Sequence, residues 1–332
     1  MNALDESKPA LAECPRGTGT PDDLTPYDAG SAYVIGRYLA ALLLIVMGGL
    51  ISQDLVSATA GKMVPLTLIA LVIGDGTQLL ISAFYAKRRD VAFVDAFGIR
   101  AVPARNLFYA ICLGVVLVGL SVLTNLALEI ISNGRITQAV LSDANRPTSG
   151  DSLILSVAGL LVITPIFEEV LFRGFMVRAF RRWGDGWATF VPTLIFGLGH
   201  HPMSIPGALA CGLAGASLAI QHGSIFPSVA LHLSMNAIPL LIVSSHRSLA
   251  GRFGQDVASA SALLILLCLL AVSVVAIYLC FRKELKSLLD HISRAWKALA
   301  LQPDVGKRAL ALCRHWAYIV LILTFVVMRL LP

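Results

Sequence analysis

Residues 257–281 read VASASALLILLCLLAVSVVAIYLCF, twenty-five consecutive positions without a charged side chain. At 1.5 Å per residue a helix of that length runs about 37 Å, more than the roughly 30 Å of hydrocarbon in a bilayer. Lipid offers no partner to backbone N–H and C=O groups, so such a run must satisfy them internally, as a helix. Working outward, eight more apolar segments can be marked, at 33–55, 64–85, 107–130, 152–173, 187–200, 204–221, 225–245 and 311–331. The chain is 57% hydrophobic and 14% charged, whereas a soluble domain carries roughly a quarter charged residues. The expected fold is therefore all-α, a polytopic transmembrane helical bundle of eight or nine membrane segments. The segment at 187–200 is too short to cross alone and should end within protein before the chain bends at Pro202 and Pro206.

The net charge of +6 would hint at nucleic acid in a soluble protein. Here the basic residues lie between apolar runs, which points to membrane orientation and not to a nucleic-acid partner. With the N-terminus inside, 20 of the 26 Lys and Arg residues fall on the inner side, as the positive-inside rule requires. In a bacterial host that membrane would be the cytoplasmic one. The six cysteines form no CxxC pair and sit mainly in apolar runs, so they read as packing residues. Residues 1–30 are polar, acidic and rich in Pro and Gly, the composition of a disordered tail. Between 282 and 301, Leu285, Leu288, Leu289, Ile292 and Trp296 share a helical face, with Lys283, Lys286, Arg294 and Lys297 mostly off it. That pattern suits a helix lying on the inner leaflet.

Polar residues inside the apolar segments carry the functional signal. A charge at the bilayer centre costs about 2.5–3.5 kcal/mol on insertion scales, so such groups usually pair, face a cavity and serve function. The fourth segment ends Val162-Ile-Thr-Pro-Ile-Phe-Glu-Glu-Val-Leu-Phe-Arg173. Glu169 and Arg173 are four apart and can pair, while Glu168, turned about 100° away, is left for a cavity. An ion pair explains Glu169 and Arg173 as structure alone; it does not explain Glu168. The fifth segment ends with Phe196 and His200 on one face; His201 points away. The seventh carries His232 and Asn236, again four apart, both able to donate to a developing oxyanion. Asp75 and Gln78 in the second segment read as a structural hydrogen-bonded pair. Counted at helical rise, Glu168 and His232 lie about 10 Å from the inner face and His200 about 20 Å. Their meeting requires tilt, an inward-open cavity or a shifted helix start.

Glu168-Glu169-x-x-x-Arg173, Phe196-x-x-x-His200 and His232-x-x-x-Asn236, in that order, resemble the motifs of the CPBP family, which includes the CAAX prenyl endopeptidases of the Ras-converting type and the bacterial Abi proteins. The resemblance implies an α-helical intramembrane endopeptidase with a four-helix catalytic core. It implies that Glu168 and His200 activate water, that His232 and Asn236 hold the oxyanion, and that Glu169 and Arg173 orient the site. No cofactor is required on that reading. A metallopeptidase is the rival: Glu168, His200 and His232 make a His₂Glu set of the kind that holds catalytic zinc, although no HExxH motif is present. A non-enzymatic scaffold, immunity protein or transporter is the other rival. The partners implied are the lipid bilayer and a membrane-associated peptide or protein substrate, a prenylated one among the options. The organisation expected is a tail over 1–30, N-terminal membrane helices over 31–150, a catalytic core over 151–246 and C-terminal membrane helices over 247–332.

Overall fold

The computed structural model describes residues 19–50, 63–132 and 161–330. Among the described residues twelve helices follow one another, besides two short 3-10 turns, and the only β contact is an isolated bridge between Gly19 and Val91. They are α1 (Pro26–Leu50), α2 (Met63–Arg88), the short α3 (Phe93–Phe97) and α4 (Ala104–Ser132). A composite helix α5 comes next, built from an α-helical piece Thr164–Glu169, a π turn Val170–Met176 and a second α-helical piece Val177–Arg181. Then follow α6 (Asp185–Leu198), α7 (Ile205–His222), α8 (Phe226–Phe253), α9 (Gln255–Cys280), α10 (Arg282–Ala300), α11 (Val305–Arg314) and α12 (Trp316–Leu330). The chain is an all-α polytopic helical bundle, as its apolar runs predict.

Among the described residues five helices, α1, α4, α7, α8 and α9, are long and apolar enough to cross a membrane, and a sixth crossing results if α11 and α12 count as one. The segment expected over 311–331 is broken. The chain bends by 78° between α11 and α12 because His315 adopts an extended conformation, φ −76° and ψ 131°. Exposure supports a lipid environment: α9 presents Leu264, Val272 and Leu279 at 62%, 68% and 70% of their surface. Water would not tolerate a continuous patch of that kind.

Residues 1–18 of the expected tail, and 152–160 of the fourth segment, lie outside the described residues. Residues 19–30 are ordered: Leu24 is fully buried and α1 begins at Pro26. Thr25 and Asp28 exchange hydrogen bonds at its start, Thr25 N donating to Asp28 Oδ2 at 2.9 Å and Asp28 N to Thr25 Oγ1 at 3.2 Å. Asp28 also pairs with Arg89 beyond the end of α2, at 3.0 Å. At the other boundary, α8 continues past 246 to Phe253 without interruption.

Between lipid-immersed helices there is no hydrophobic drive, so they associate by close packing, which small residues permit. Helix α7 is the clearest case, with Ala208, Cys211, Gly212, Gly215, Ala216 and Ala219 along its buried side. A Cβ at Gly212 would come within 2.9 Å of Thr193 on α6, and one at Gly215 would meet Ser228 of α8 and lie 3.2 Å from Nε of Arg173. This draws α6, α7 and α8 around α5, which also touches α1, α2 and α3. Every residue of its π turn is buried.

One end of α5 is fastened by Arg178. Its guanidinium donates to the carbonyls of Arg173 (3.2 Å) and Gly174 (3.3 Å) on its own helix and of Gly223 between α7 and α8 (3.1 Å). Gly98, with φ +62°, lies against it and has no room for a Cβ. Ile225 N donates to Gly98 O at 3.1 Å. The α3–α4 and α7–α8 connections are thus tied to α5 at a common level. At α10, Leu285, Leu288 and Ile292 of the amphipathic stripe pack onto the protein core, while Leu289 and Trp296 remain exposed. The stripe expected to face lipid is therefore divided between protein and surroundings.

Gly215→Ala is expected to lower the thermal unfolding midpoint of the purified chain, by an amount equivalent to about 1–3 kcal/mol. Gly251→Ala, on α8 where an added methyl group would meet nothing within 4 Å, is expected to hold or raise it, because alanine favours a helix by roughly 0.5–1 kcal/mol.

Candidate active site

Helix α5 supplies two adjacent carboxylates whose surroundings differ sharply. Glu169 is fully buried. Its Oε1 lies 3.0 Å from the Arg173 guanidinium and 2.9 Å from Nδ1 of His232, and its Oε2 accepts from the hydroxyl of Ser228. Four residues separate Glu169 from Arg173 and four separate Ser228 from His232, so one turn of α5 meets one turn of α8. A carboxylate can only accept when ionised; held this way, Glu169 receives the Nδ1–H of His232. That leaves the other imidazole nitrogen, Nε2, aimed at Glu168, whose Oε2 is 3.8 Å away.

Phe196 of α6 fills the space between these groups. The Arg173 guanidinium lies 4.1 Å from its ring centroid, a distance at which the ring quadrupole attracts a cation. The His200 ring meets the Phe196 ring edge-on at 4.5 Å and the His232 ring does so at 5.7 Å. His200 Nδ1 is 2.8 Å from the carbonyl of Phe196. A carbonyl cannot donate, so Nδ1 carries the proton, and in the neutral ring Nε2 keeps its lone pair.

Glu168, His200, His232 and Asn236 together line one cavity of about 480 Å³, otherwise walled by apolar groups such as Leu161, Pro239, Leu240 and Val243. His200, His232 and Asn236 also border a second cavity of about 300 Å³, reaching Ser121 and Asn125 of α4 and Cys211 of α7. On the other side of Glu168 and His200 lies a small chamber of about 70 Å³, lined by Tyr33, Arg37, Asp75 and Gln78. All six positions singled out in the sequence therefore converge, while His201 is exposed.

The difference in depth expected between Glu168 and His200 is resolved by the length of α5. It does not end at Arg173 but continues to Arg181. Glu168 stands thirteen residues from Arg181, the last residue of α5, about 20 Å at helical rise. His200 stands fifteen residues from Asp185, the first residue of α6, or about 22 Å.

Asp75 and Gln78 depart from expectation. Instead of bonding to each other, they turn Asp75 Oδ2 and Gln78 Oε1 into buried positions without a hydrogen-bond partner. Ser228 escaped sequence analysis, although its spacing of four from His232 places it on the same helical face. Cys211, Ser121 and Asn125 left no signal, because a single polar residue in an apolar run is common.

Among the described residues, Glu169, Cys211 and His232 present donor atoms within 4.8 Å of one another. They fit a metal poorly, since both Glu169 oxygens already serve Arg173, Ser228 and His232. The set expected from the sequence, Glu168, His200 and His232, shares only His232 with it, and its two imidazoles and one carboxylate are of the type zinc accepts.

Removing one partner from a buried ion pair strands the other, at a cost of about 3–5 kcal/mol. Arg173→Met is expected to destabilise the chain by that order in thermal unfolding, and Ser228→Ala by about 1–3 kcal/mol.

Residues 150–238 match the family model described as Type II CAAX prenyl endopeptidase Rce1-like. A search of curated proteins and of solved structures finds no match. The matched stretch, 89 of the 332 residues, spans α5 to the first half of α8, the helices that bring the two glutamates, two histidines, arginine and asparagine together, and this part of the chain is thus similar to the Rce1-like endopeptidases.

Proposed function

We propose that the chain hydrolyses a peptide bond of a membrane-associated substrate, with Glu168 as the general base. The observation that carries this reading is the shared cavity: one carboxylate, two imidazoles and one amide border a single space that also offers an apolar wall. His200 Nε2 accepts a hydrogen bond from a water, and Glu168 takes that water's other proton as its oxygen attacks the substrate carbonyl carbon. The negative charge that develops on the carbonyl oxygen meets His232 Nε2–H and the Asn236 amide. In this role both nitrogens of His232 donate, Nδ1–H to Glu169 and Nε2–H to the oxyanion. Glu168 then returns its proton to the leaving amine nitrogen as the C–N bond breaks. Water has been split across the bond, and no covalent enzyme intermediate forms.

The wall of Leu161, Pro239, Leu240 and Val243 favours a substrate with an apolar flank, a prenylated C-terminal peptide being one chemistry that meets this. A metal route on the same residues is the second reading, favoured by the facing of His232 and Glu168. Glu168, His200 and His232 would hold the ion, which would supply a more acidic bound water.

Cleavage of a labelled peptide library by the purified chain tests both. Glu168→Gln keeps the shape and removes the base, and should reduce product formation by at least about 100-fold. Asn236→Ala should lower kcat by about 10²–10³ with KM little changed. Exhaustive chelation should leave activity intact; loss on chelation, restored by zinc, would favour the metal route. Wild-type turnover by Glu168→Gln would end the assignment of Glu168 as base, and absence of product from the wild type would end the peptidase reading.

A further inference from the structure

Hydrolysis consumes one water per bond, and the large cavity is ill suited to supplying it. Once an apolar substrate fills the space bounded by Leu240 and Val243, water is excluded from that side. The 70 Å³ chamber behind Glu168 and His200 has the opposite character. Its volume suits about two water molecules, which also need two to four polar partners each. Asp75 Oδ2 and Gln78 Oε1 are such partners: both are acceptors and both are buried without a hydrogen bond of good geometry, the Thr164 hydroxyl being the group that approaches the Asp75 carboxyl. Two acceptors cannot satisfy one another. Asp75 also has no salt-bridge partner within 4.0 Å among the described residues, unlike Asp28, Glu169 and Glu284. A carboxyl group buried without a cationic partner in contact is expensive as mere scaffolding. It makes sense if the partner it is built to hold is water.

The geometry points to Asp75 as a positioning residue that, with Gln78, holds water behind Glu168 and delivers it to the catalytic carboxylate from the side away from the substrate. This rests on Glu168 acting as base in the proposed peptidase. Asp75 touches neither substrate nor the scissile bond. Arg37 also lines the chamber and donates to Tyr33 at 3.4 Å. Water held between Asp75 and Gln78 can refill the position beside His200 after each turnover without the substrate cavity opening.

The test uses the full chain in lipid nanodiscs with a peptide that the wild type cleaves, and Glu168→Gln as the inactive reference. Asp75→Leu fills the chamber with an apolar group and should lower kcat by about 10–100-fold, with KM within about twofold. Asp75→Asn keeps an acceptor and should recover most of that loss. Gln78→Leu should shift kcat in the same direction as Asp75→Leu. Wild-type kcat in Asp75→Leu, or a rise in KM alone, overturns the proposal. So does an equal loss in the Asn and Leu variants accompanied by a lower unfolding midpoint, which is the mark of a structural residue. Should Asp75→Leu fail to fold, Gln78→Leu and Asp75→Asn decide, and wild-type kcat in Gln78→Leu is the negative result. Failure here with an inactive Glu168→Gln leaves the reading of Glu168 as base standing; an active Glu168→Gln removes that reading and this proposal with it, while cleavage by the wild type keeps the peptidase reading.

Discussion

The buried contact between Glu169 and Arg173 is the constraint on which the rest of the site depends. Two full charges have been withdrawn from water, and only good geometry repays that desolvation. The geometry is supplied from three helices. Arg173 lies on the same helix as Glu169, Ser228 and His232 approach from α8, and Phe196 of α6 offers its ring to the guanidinium. None of these helices can slide without exposing a charge to lipid. The ion pair therefore fixes the register of α5 against α8, and with it the direction of the His232 ring. Glu168 is left as the carboxylate that the packing does not consume.

Close approach of the helices is a precondition for that arrangement. Gly215 brings α7 against Ser228 and Arg173, and Gly212 brings it against Thr193. Larger side chains there would push α6 and α8 apart, and the aromatic contacts among Phe196, His200 and His232 would open. Packing of small residues that supply no reacting atom thus sets distances at the centre.

Much of this was legible in the sequence because the physical signals were periodic. Apolar runs of about twenty residues declare membrane helices, and spacings of four put Glu169 with Arg173, Phe196 with His200 and His232 with Asn236. What stayed hidden depends on contacts between helices. Nothing in the local sequence says that Asp75 on α2 borders the same space as Glu168 on α5, or that Ser228 reaches Glu169. The break at His315 was hidden as well, since an apolar run can cover a bend without a proline to mark it. The amphipathic stripe of α10 has the right residues, but periodicity cannot tell protein from lipid as the surface that covers it.

The π turn at Val170–Met176 carries a consequence for how this helix can vary. A wider turn of i→i+5 bonds accommodates one more residue than an α-helical path over the same length. Glu169 can then face α8 while Arg178, nine positions on, still reaches the carbonyl of Gly223. Losing a single residue inside this turn would return it to an α-helical path over the same length, with Glu169 and Arg178 left near their places. Gaining one would rotate everything beyond it by about 100°, swinging the anchoring guanidinium away from its carbonyls. The turn therefore absorbs a change of length in one direction only, and this stretch tolerates shortening by one residue better than lengthening.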